Sequence, residues 1–367
     1  MNTSLEKLIP RLKVGTLVLP RGERTFIGRT DFGIEIDLPG AMSILGGMNG
    51  RNNCQEISEA FGVEMEEIGY LISQLDQAHL IDTESTTISV QRFHSLNPTR
   101  TTHAGDDSND GAFKQLQTKL SPELNFTTWF HNVKDGGVSL VGHRRDWEIA
   151  VLGNSRIATL VYGILLASGA TETSFTAIKN SPTISDRDLT AGFLRNSDIG
   201  QGLQTRTDEM ARELSLFPRP QTSEKKKTPP SRKLIICVGN PPSEHVQEWM
   251  SDGVAHLLVE NPDCASINVG PLVLPGKTPC LRCLSLTKED QEGLWREINR
   301  QNISVKPAEV PVAVAHHVAG FIALEILQFL DIGQTELIGH SARINYHSPG
   351  RTQSTLLARH PACGCNW

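Results

Sequence analysis

The sequence predicts an α/β protein in which an N-terminal winged helix-turn-helix module precedes a Rossmann-type α/β domain with a structural zinc knuckle. Three observations predict this fold. Short strand patterns and then three helical patterns fill residues 1–85, strand and helix patterns alternate from about residue 145, and two tight cysteine pairs lie far apart. Alternating strands and helices are typical of a parallel sheet with helices on both faces. We expect a linker and connecting segment over 86–144 and the α/β domain over 145–367.

The composition favours a cytoplasmic protein that binds neither nucleic acid nor membrane. Hydrophobic residues make up 38% of the chain and the formal net charge is −6, whereas nucleic-acid-binding faces are usually basic. The start, MNTSLEKLIPRLKV, lacks the apolar core of a signal peptide. We expect no apolar run near the ~20 residues that span a bilayer. The odd count of seven cysteines argues against a disulfide framework.

The N-terminal pattern is typical of a winged helix-turn-helix module. The segments LKVGTLVL, TFIG and GIEIDL alternate like strands, and AMSILGGM, CQEISEAFG and residues 64–78 follow as helices. The third helix carries an apolar stripe at helical spacing, formed by Ile68, Leu71, Ile72 and Leu75. DNA binding is disfavoured because residues 51–82 hold seven acids and a single base, Arg51.

The first 30 residues are basic and could suit an acidic peptide. They carry more bases than acids: Lys7, Arg11, Lys13, Arg21, Arg24 and Arg29 against Glu6 and Glu23. A solvated surface without a ligand is the alternative for each of these bases.

The α/β region is predicted from four strands, WEIAVLG, TETSFTAI, LIICVG and HLLVEN, with helices between them. A long helix over 311–330, whose only acidic or basic residue apart from histidines is Glu325, is expected to be buried. Polar stretches over 97–112 and 219–233 are predicted to be a linker and an exposed loop. We interpret His316 and His317 as core or interface residues. Three cysteines are interpreted as packing residues: Cys54, Cys237 and Cys264.

Two cysteine knuckles predict a zinc site. Cys280 and Cys283 form CLRC, and Cys363 and Cys365 form CGC. Zinc takes four thiolates in a tetrahedron, and a filled set leaves no position for a reacting water, so the site would be structural. The alternatives are four free buried thiols or a redox Cys-x-x-Cys. The redox reading is disfavoured because we expect no thioredoxin-type helix after Cys283.

The segment VLGNSRIATLVYG occupies the place of a nucleotide-binding loop. Such loops use several glycines so that the backbone can approach phosphate at a helix N-terminus. Only Gly153 precedes the helix here. The sequence leaves open a plain strand-to-helix turn or an ATP site.

Residues 145–365 resemble the ThiF-like family, which includes ubiquitin-activating enzymes. The segments that carry the resemblance are VLGNSRIATLVYGILLASGA, NSDIGQGLQTRTDEMAREL and INVGPLVLPGKTPCLRC. The end of the chain, HPACGC, resembles the cyclodehydratase partner proteins of azoline-forming pathways, which make thiazole/oxazole-modified microcins. In these proteins a leader-peptide-recognition winged helix precedes a ThiF-like domain, and residues 1–85 fit that module.

The resemblance implies a leader-binding, substrate-presenting subunit of an ATP-dependent cyclodehydratase that forms thiazoline or oxazoline rings on a ribosomal peptide. A YcaO-type partner would carry the chemistry, and a flavin-dependent azoline dehydrogenase is a further candidate partner. It also implies a homodimer. The leader would add a strand beside GIEIDL, so Ile34, Ile36 and Leu38 are candidate peptide-binding residues together with the stripe.

Departures from active ThiF-like enzymes suggest that this chain is non-catalytic. The second strand ends in TAIKN without an acid, and Gly239 and Asn240 stand where an aspartate is expected after the third strand. Carboxylates commonly help to hold magnesium. Arg195 could match the family's arginine but could not hold ATP alone. The alternative function is an active ATP-dependent adenylyltransferase of a peptide or carrier-protein carboxylate.

Overall fold

A computed structural model describes residues 3–86, 107–178, 182–214, 232–304 and 308–365. The chain forms two compact units, residues 1–142 and 143–367. The expected boundary at residue 85 therefore lies inside the first unit. Most of the two polar stretches, over 97–106 and 219–231, lies outside the described residues.

The first unit contains short strands and the helices expected at the N-terminus. Its strands are β1 (Arg11–Leu12), β2 (Leu17–Arg21), β3 (Arg24–Gly28), β4 (Gly33–Ile36) and β5 (Ile81–Asp82). Its helices are α1 (Thr3–Glu6), α2 (Ala41–Gly47), α3 (Cys54–Phe61), α4 (Met65–Gln77) and α5 (Asp107–Thr127), and α6 (Val138–His143) reaches its end. β2, β3 and β4 form an antiparallel sheet in that order, and β1 pairs with β5.

Local sequence signals fix α3 and α4. α3 begins at a capping box in which the Asn53 side chain accepts from the Glu56 amide, and it ends at Gly62 in the left-handed region, with φ 64°. The apolar stripe of α4 faces the core of the unit, where it packs with Ile27, Ile36 and residues of α2 and α3.

Helix α5 corrects part of the linker prediction, because residues 107–112 begin a helix. The polar residues 107–112 show no apolar period. Apolar residues at helical spacing occur only later in the helix, at Leu116, Leu120 and Leu124. All three side chains are buried.

Lys13 is buried rather than part of a basic surface. Its Nζ donates to the carbonyl oxygens of Thr128 at 2.6 Å and Val133 at 2.8 Å. The Thr128 hydroxyl donates in turn to the buried carboxylate of Asp82 at 3.2 Å. These contacts tie the N-terminal strands to the segment after α5. On the three-stranded sheet, Glu35 forms ion pairs with Arg21 and Arg24.

The second unit is a mixed sheet covered by helices. Its strands are β6 (Trp147–Leu152), β7 (Thr173–Thr176), β8 (Arg232–Val238), β9 (Ala255–Val259), β10 (Ser266–Val273), β11 (His340–Asn345) and β12 (Thr352–Leu356). Its helices are α7 (Arg156–Ala167), α8 (Leu203–Leu214), α9 (Ser243–Ser251), α10 (Leu281–Glu292), α11 (Trp295–Ser304) and α12 (Val312–Ile332).

The sheet is only partly parallel, which corrects the expectation of a parallel sheet. Its order is β12-β11-β10-β9-β8-β6-β7, and the four strands β7, β6, β8 and β9 are parallel. The remaining pairs are antiparallel. The connection from Glu260 to Ala265 is too short for the crossover that a parallel pair needs. The mixed α/β architecture is consistent with a ThiF-like fold.

Helix α12 corrects the statement that no apolar run is long enough to span a bilayer. By length and composition alone, Val312–Ile332 could cross a membrane, with a mean hydropathy of 1.6. It packs instead in the core of the unit, where Val318, Ile322 and Ile326 are completely buried. A buried core helix meets the same criteria as a membrane span, so this helix is weak evidence for a membrane.

Candidate functional site

The four cysteines of the two knuckles meet in one buried cluster. The Sγ atoms of Cys280 and Cys363 are 3.3 Å apart, those of Cys283 and Cys365 are 3.4 Å apart, and all four lie within 4.8 Å of one another. Zinc–sulfur bonds of about 2.3 Å in a tetrahedron place sulfurs ~3.8 Å apart. The cluster therefore has the size and the ligands to hold a metal ion.

Local backbone structure aims the sulfurs at a common point. Cys280 is the N-cap of α10, and Cys283 lies in the first turn of that helix. Gly364 adopts the left-handed region, with φ 68°, between the two cysteines of the second knuckle. The glycine turn lets Cys363 and Cys365 present their side chains to the same site.

Helix α10 contradicts the expectation that no helix follows Cys283. A Cys-x-x-Cys at a helix N-terminus is also the arrangement of redox dithiols. The second knuckle distinguishes the two readings, because Cys363 and Cys365 complete a four-sulfur set that a dithiol does not need. The geometry thus favours a metal centre through the second knuckle, as the two cysteine pairs predicted, and not through the absence of a helix.

Burial and mutual hydrogen bonds shift the pKa of three of the four thiols. Burial raises the pKa of the Cys283 thiol, but backbone hydrogen bonds at His360 and Cys280 outweigh it and lower the pKa to about 7. Burial and the neighbouring sulfurs raise the pKa of Cys363 and Cys365. Four packed thiols cannot all ionise unless a positive charge balances them.

His360 clamps the C-terminal knuckle to α10, a role that the sequence reasoning did not assign. Its Nε2 lies 2.8 Å from a carboxylate oxygen of Asp290, and its Nδ1 accepts from the Ala362 amide at 3.1 Å. Arg359 donates to the Gly276 carbonyl at 2.6 Å. The position of His360 within HPACGC, three residues before Cys363, was the available signal, since side chains around a metal site orient its ligands.

The turn after β6 is built from contacts within the protein. A Cβ on Gly153 would lie 2.8 Å from the Val238 carbonyl oxygen and 2.9 Å from the Ala158 Cβ. The Gly153 amide donates to the Thr176 carbonyl at 3.2 Å. Close packing of the turn on β8 therefore explains this glycine without a phosphate.

The polar side chains of the turn are also engaged. Ser155 caps α7 by accepting from the Ala158 amide at 3.4 Å. Asn154 donates to the Ile178 carbonyl, and Arg156 donates to the carbonyls of Val310 and Arg187. Arg156 thus holds protein carbonyl groups at the place where a nucleotide loop would hold phosphate.

Of the described strand ends beside this turn, β8 ends without an acid, whereas Glu260 follows β9 and accepts from Asn268 at 2.7 Å and from Lys288 at 3.3 Å. Gly239 follows β8, and its amide donates to the Val259 carbonyl at 2.8 Å. The acid nearest to Arg195 in sequence, Asp198, is buried and bonded to Arg206 at 2.9 Å. Lys179 and Asn180, which end the second strand pattern, lie outside the described residues.

The candidate peptide-binding residues fall into two groups. Ile34 and Leu38 are half-buried at or just after β4, and Ile36 is buried. All four stripe residues, Ile68, Leu71, Ile72 and Leu75, are buried in the core of the unit. A ligand could reach the edge of β4 in this conformation but not the stripe.

Of the two histidines interpreted as core or interface residues, His316 is half-buried and His317 is exposed, so a core position for His317 is wrong and an interface stays a prediction. His316 lies with its ring nitrogens 2.9 Å from the Val312 carbonyl and 3.1 Å from the Ala191 carbonyl. Burial raises the pKa of Cys54 to about 11 and that of Cys237 to about 12, as expected for packed thiols. Cys264 is exposed, so its prediction as a packing residue is wrong.

Comparisons with known proteins identify similar folds. No family model matches the sequence, and no curated protein matches it. Structures of E. coli MccB with ATP and with MccA are similar over nearly the whole chain. The ATP complex has 13% identity, a TM-score of 0.62 and coverage of 98% of this chain and 99% of MccB. The MccA complex has 14% identity, a TM-score of 0.63 and coverage of 97% and 99%.

The heterocyclase TruD is similar to this chain over part of its length. It has 13% identity and a TM-score of 0.56, and the match covers 98% of this chain but 42% of TruD. At these identities the likeness shows a shared fold.

Proposed function

We propose that this chain is the leader-peptide-binding, substrate-presenting subunit of an ATP-dependent cyclodehydratase. It would deliver a ribosomal precursor peptide to a YcaO-type enzyme, which forms thiazoline or oxazoline rings. A winged-helix module over the first 85 residues would bind the leader at the free edge of β4. The observation that carries the proposal is the combination of this sheet edge with a nucleotide loop whose polar groups bond to the protein itself.

The structural neighbours support the class of reaction. MccB has been solved with its peptide MccA, and TruD is a heterocyclase, so both folds belong to proteins that handle peptides. The 42% coverage of TruD fits a chain that corresponds to one part of a heterocyclase.

A structural metal centre is part of the same proposal, because it would stabilise the fold of the second unit. We propose that Cys280, Cys283, Cys363 and Cys365 hold one structural Zn²⁺, which would fix the C-terminus on α10. All four positions of the tetrahedron are filled by sulfur, so the ion would bind no reacting water.

The rival is an active adenylyltransferase of a peptide or carrier-protein carboxylate, which the MccB structure with ATP favours. Isothermal titration of the full chain with Mg·ATP separates the two. Tight binding supports the rival. The direct test of presentation uses the short Cys/Ser/Thr-rich peptide encoded beside a YcaO-type reading frame. Its leader should bind in fluorescence polarisation, and a scrambled leader should not. Loss of water from the peptide should require both proteins.

A homodimer is part of the proposal. Leu324 is an apolar side chain of α12 that is 67% exposed although the helix packs in the core of the unit, so it could contact a second copy. Light scattering should report a dimer at micromolar concentration, and Leu324→Glu should shift it to a monomer. A wild-type monomer would contradict the proposed homodimer and leave the proposed peptide presentation unaffected.

A further inference from the structure

An aromatic groove lies on the surface of the first unit, apart from the cysteine cluster and the edge of β4. It has a volume of about 540 Å³ and is lined mainly by apolar side chains from the end of α5 and the loop before β2. Phe126 is 71% exposed and meets Phe130 edge-on at a centroid distance of 6.4 Å. An exposed phenylalanine beside a concave apolar surface is typical of a binding site.

Arg29 supplies the only charged side chain that lines the described groove. Its guanidinium carbon lies 4.6 Å from the centre of the Trp129 ring. Gly15, with φ 84°, gives it room, because a Cβ there would lie 3.3 Å from Arg29 Nη1. In the parts of the chain that the structure describes, no carboxylate pairs with Arg29. A guanidinium stacked on an indole can still bind a carboxylate through its N–H edge.

We infer that this groove anchors the leader peptide by taking a large apolar side chain while Arg29 binds an aspartate or glutamate within a residue or two of it. The inference rests on the proposed leader binding and adds the chemistry of the recognised segment. Charge complementarity selects this occupant, because the groove combines three aromatic rings with one cation and has no acid in its lining.

Model peptides test the groove on the full chain without knowledge of the precursor. The probe is a fluorescein-labelled peptide with the core Asp-Leu-Phe-Asp. Matched probes carry lysine or asparagine for both aspartates, or alanine for leucine and phenylalanine. We expect the acidic probe to bind about tenfold tighter than the lysine or alanine probe, because the loss of one important interface contact typically weakens binding by about this factor.

Two variants of the protein test whether Phe126 and Arg29 contact the probe peptide. Phe126→Ala should weaken the acidic probe about tenfold, and Arg29→Gln should do so by a similar factor. The effect of Arg29→Gln should disappear with the asparagine probe, which a merely structural role of Arg29 would not produce. Leu356→Ala, at a side chain that is also 71% exposed, and Arg51→Gln are the matched controls and should bind like wild type.

Two results would overturn the inference. One is that wild-type chain does not distinguish the acidic probe from the lysine probe. The other is that Phe126→Ala changes the mass in light scattering but not probe binding, since the groove would then cover a second copy. A precursor leader that binds wild type and both groove variants equally would refute the groove and leave leader binding intact. A leader that does not bind wild type would refute leader binding itself.

Discussion

Gly153 and Val238 lie so close together that a Cβ on the glycine would be 2.8 Å from the valine carbonyl oxygen. In dinucleotide-binding loops, different glycines serve the tight turn, the approach of phosphate and the packing of helix on strand. The glycine that remains here serves the packing, while the residues after it are Asn154, Ser155 and Arg156. Packing alone thus accounts for the glycine at the first strand-to-helix turn.

This contact predicts the effect of Gly153→Ala. The methyl group would overlap backbone at a positive φ, so we expect a loss of about 1–3 kcal/mol in the free energy of unfolding. Heat release with Mg·ATP should be absent in wild type and variant alike. Gly320→Ala is the control, because no atom lies within 4 Å of a Cβ there and alanine favours helix. An unchanged melting temperature for Gly153→Ala would contradict the packing argument.

The metal centre predicts that Cys363→Ser yields unstable protein without stoichiometric zinc. Structural zinc contributes apparent binding energies on the order of 10 kcal/mol, comparable to the stability of a whole domain. Elemental analysis of fresh wild-type protein should find one zinc per chain. Cys264→Ser, at an exposed cysteine outside the cluster, should keep both zinc and stability. Well-folded wild-type protein with less than one zinc per chain would refute the site.

Lys13 predicts a pH dependence of stability in the first unit. Burial lowers its pKa below 10.5 in the folded chain. Unfolding therefore takes up a proton between the lowered value and 10.5, and the free energy of unfolding increases as pH rises through this window. Measured against Lys13→Met at each pH, the wild type should gain stability in that range. A difference that is constant with pH would show that Lys13 titrates normally.

The sequence predicted local structure well where pattern and packing agree. The helices α3 and α4 and the four parallel strands follow from the periodicity of the sequence. It could not predict that Lys13 is held by carbonyl groups of Thr128 and Val133, because the contacts cross more than a hundred residues. For the same reason a fragment ending at residue 85 would remove both acceptors of a buried ammonium. Binding tests should therefore use the full chain.

The candidate sites, like the fold, could be predicted where a local pattern decides and not where distant segments meet. Cysteine spacing predicted the four side chains that the structure brings into one buried cluster, which could hold a metal ion. The stripe on α4 predicted a helix face, but apolar periodicity does not distinguish a core from a binding groove, and the structure buries all four residues. The groove at Phe126 carries no sequence pattern, because its lining comes from segments separated by about a hundred residues.

The free edge of β4 predicts which backbone position recognises the leader. The Arg29 amide donates to the Phe32 carbonyl at 2.7 Å, which makes these two residues a hydrogen-bonded pair at the turn between β3 and β4. Antiparallel pairs alternate, so Ile34 and Ile36 direct their amides to β3, and the Glu35 amide points to the free edge.

Glu35→Pro should therefore weaken leader binding roughly five- to tenfold, since one backbone hydrogen bond contributes about 1 kcal/mol. The fold should survive, because proline is tolerated on an edge strand where its missing N–H faces solvent. Glu35→Gln is the matched control: both variants lose the ion pairs with Arg21 and Arg24, and only the proline loses the donor. Fluorescence polarisation with the labelled leader measures both. If the two variants bind the leader equally well, the leader does not pair with β4, and the search for its binding surface moves to other parts of the chain.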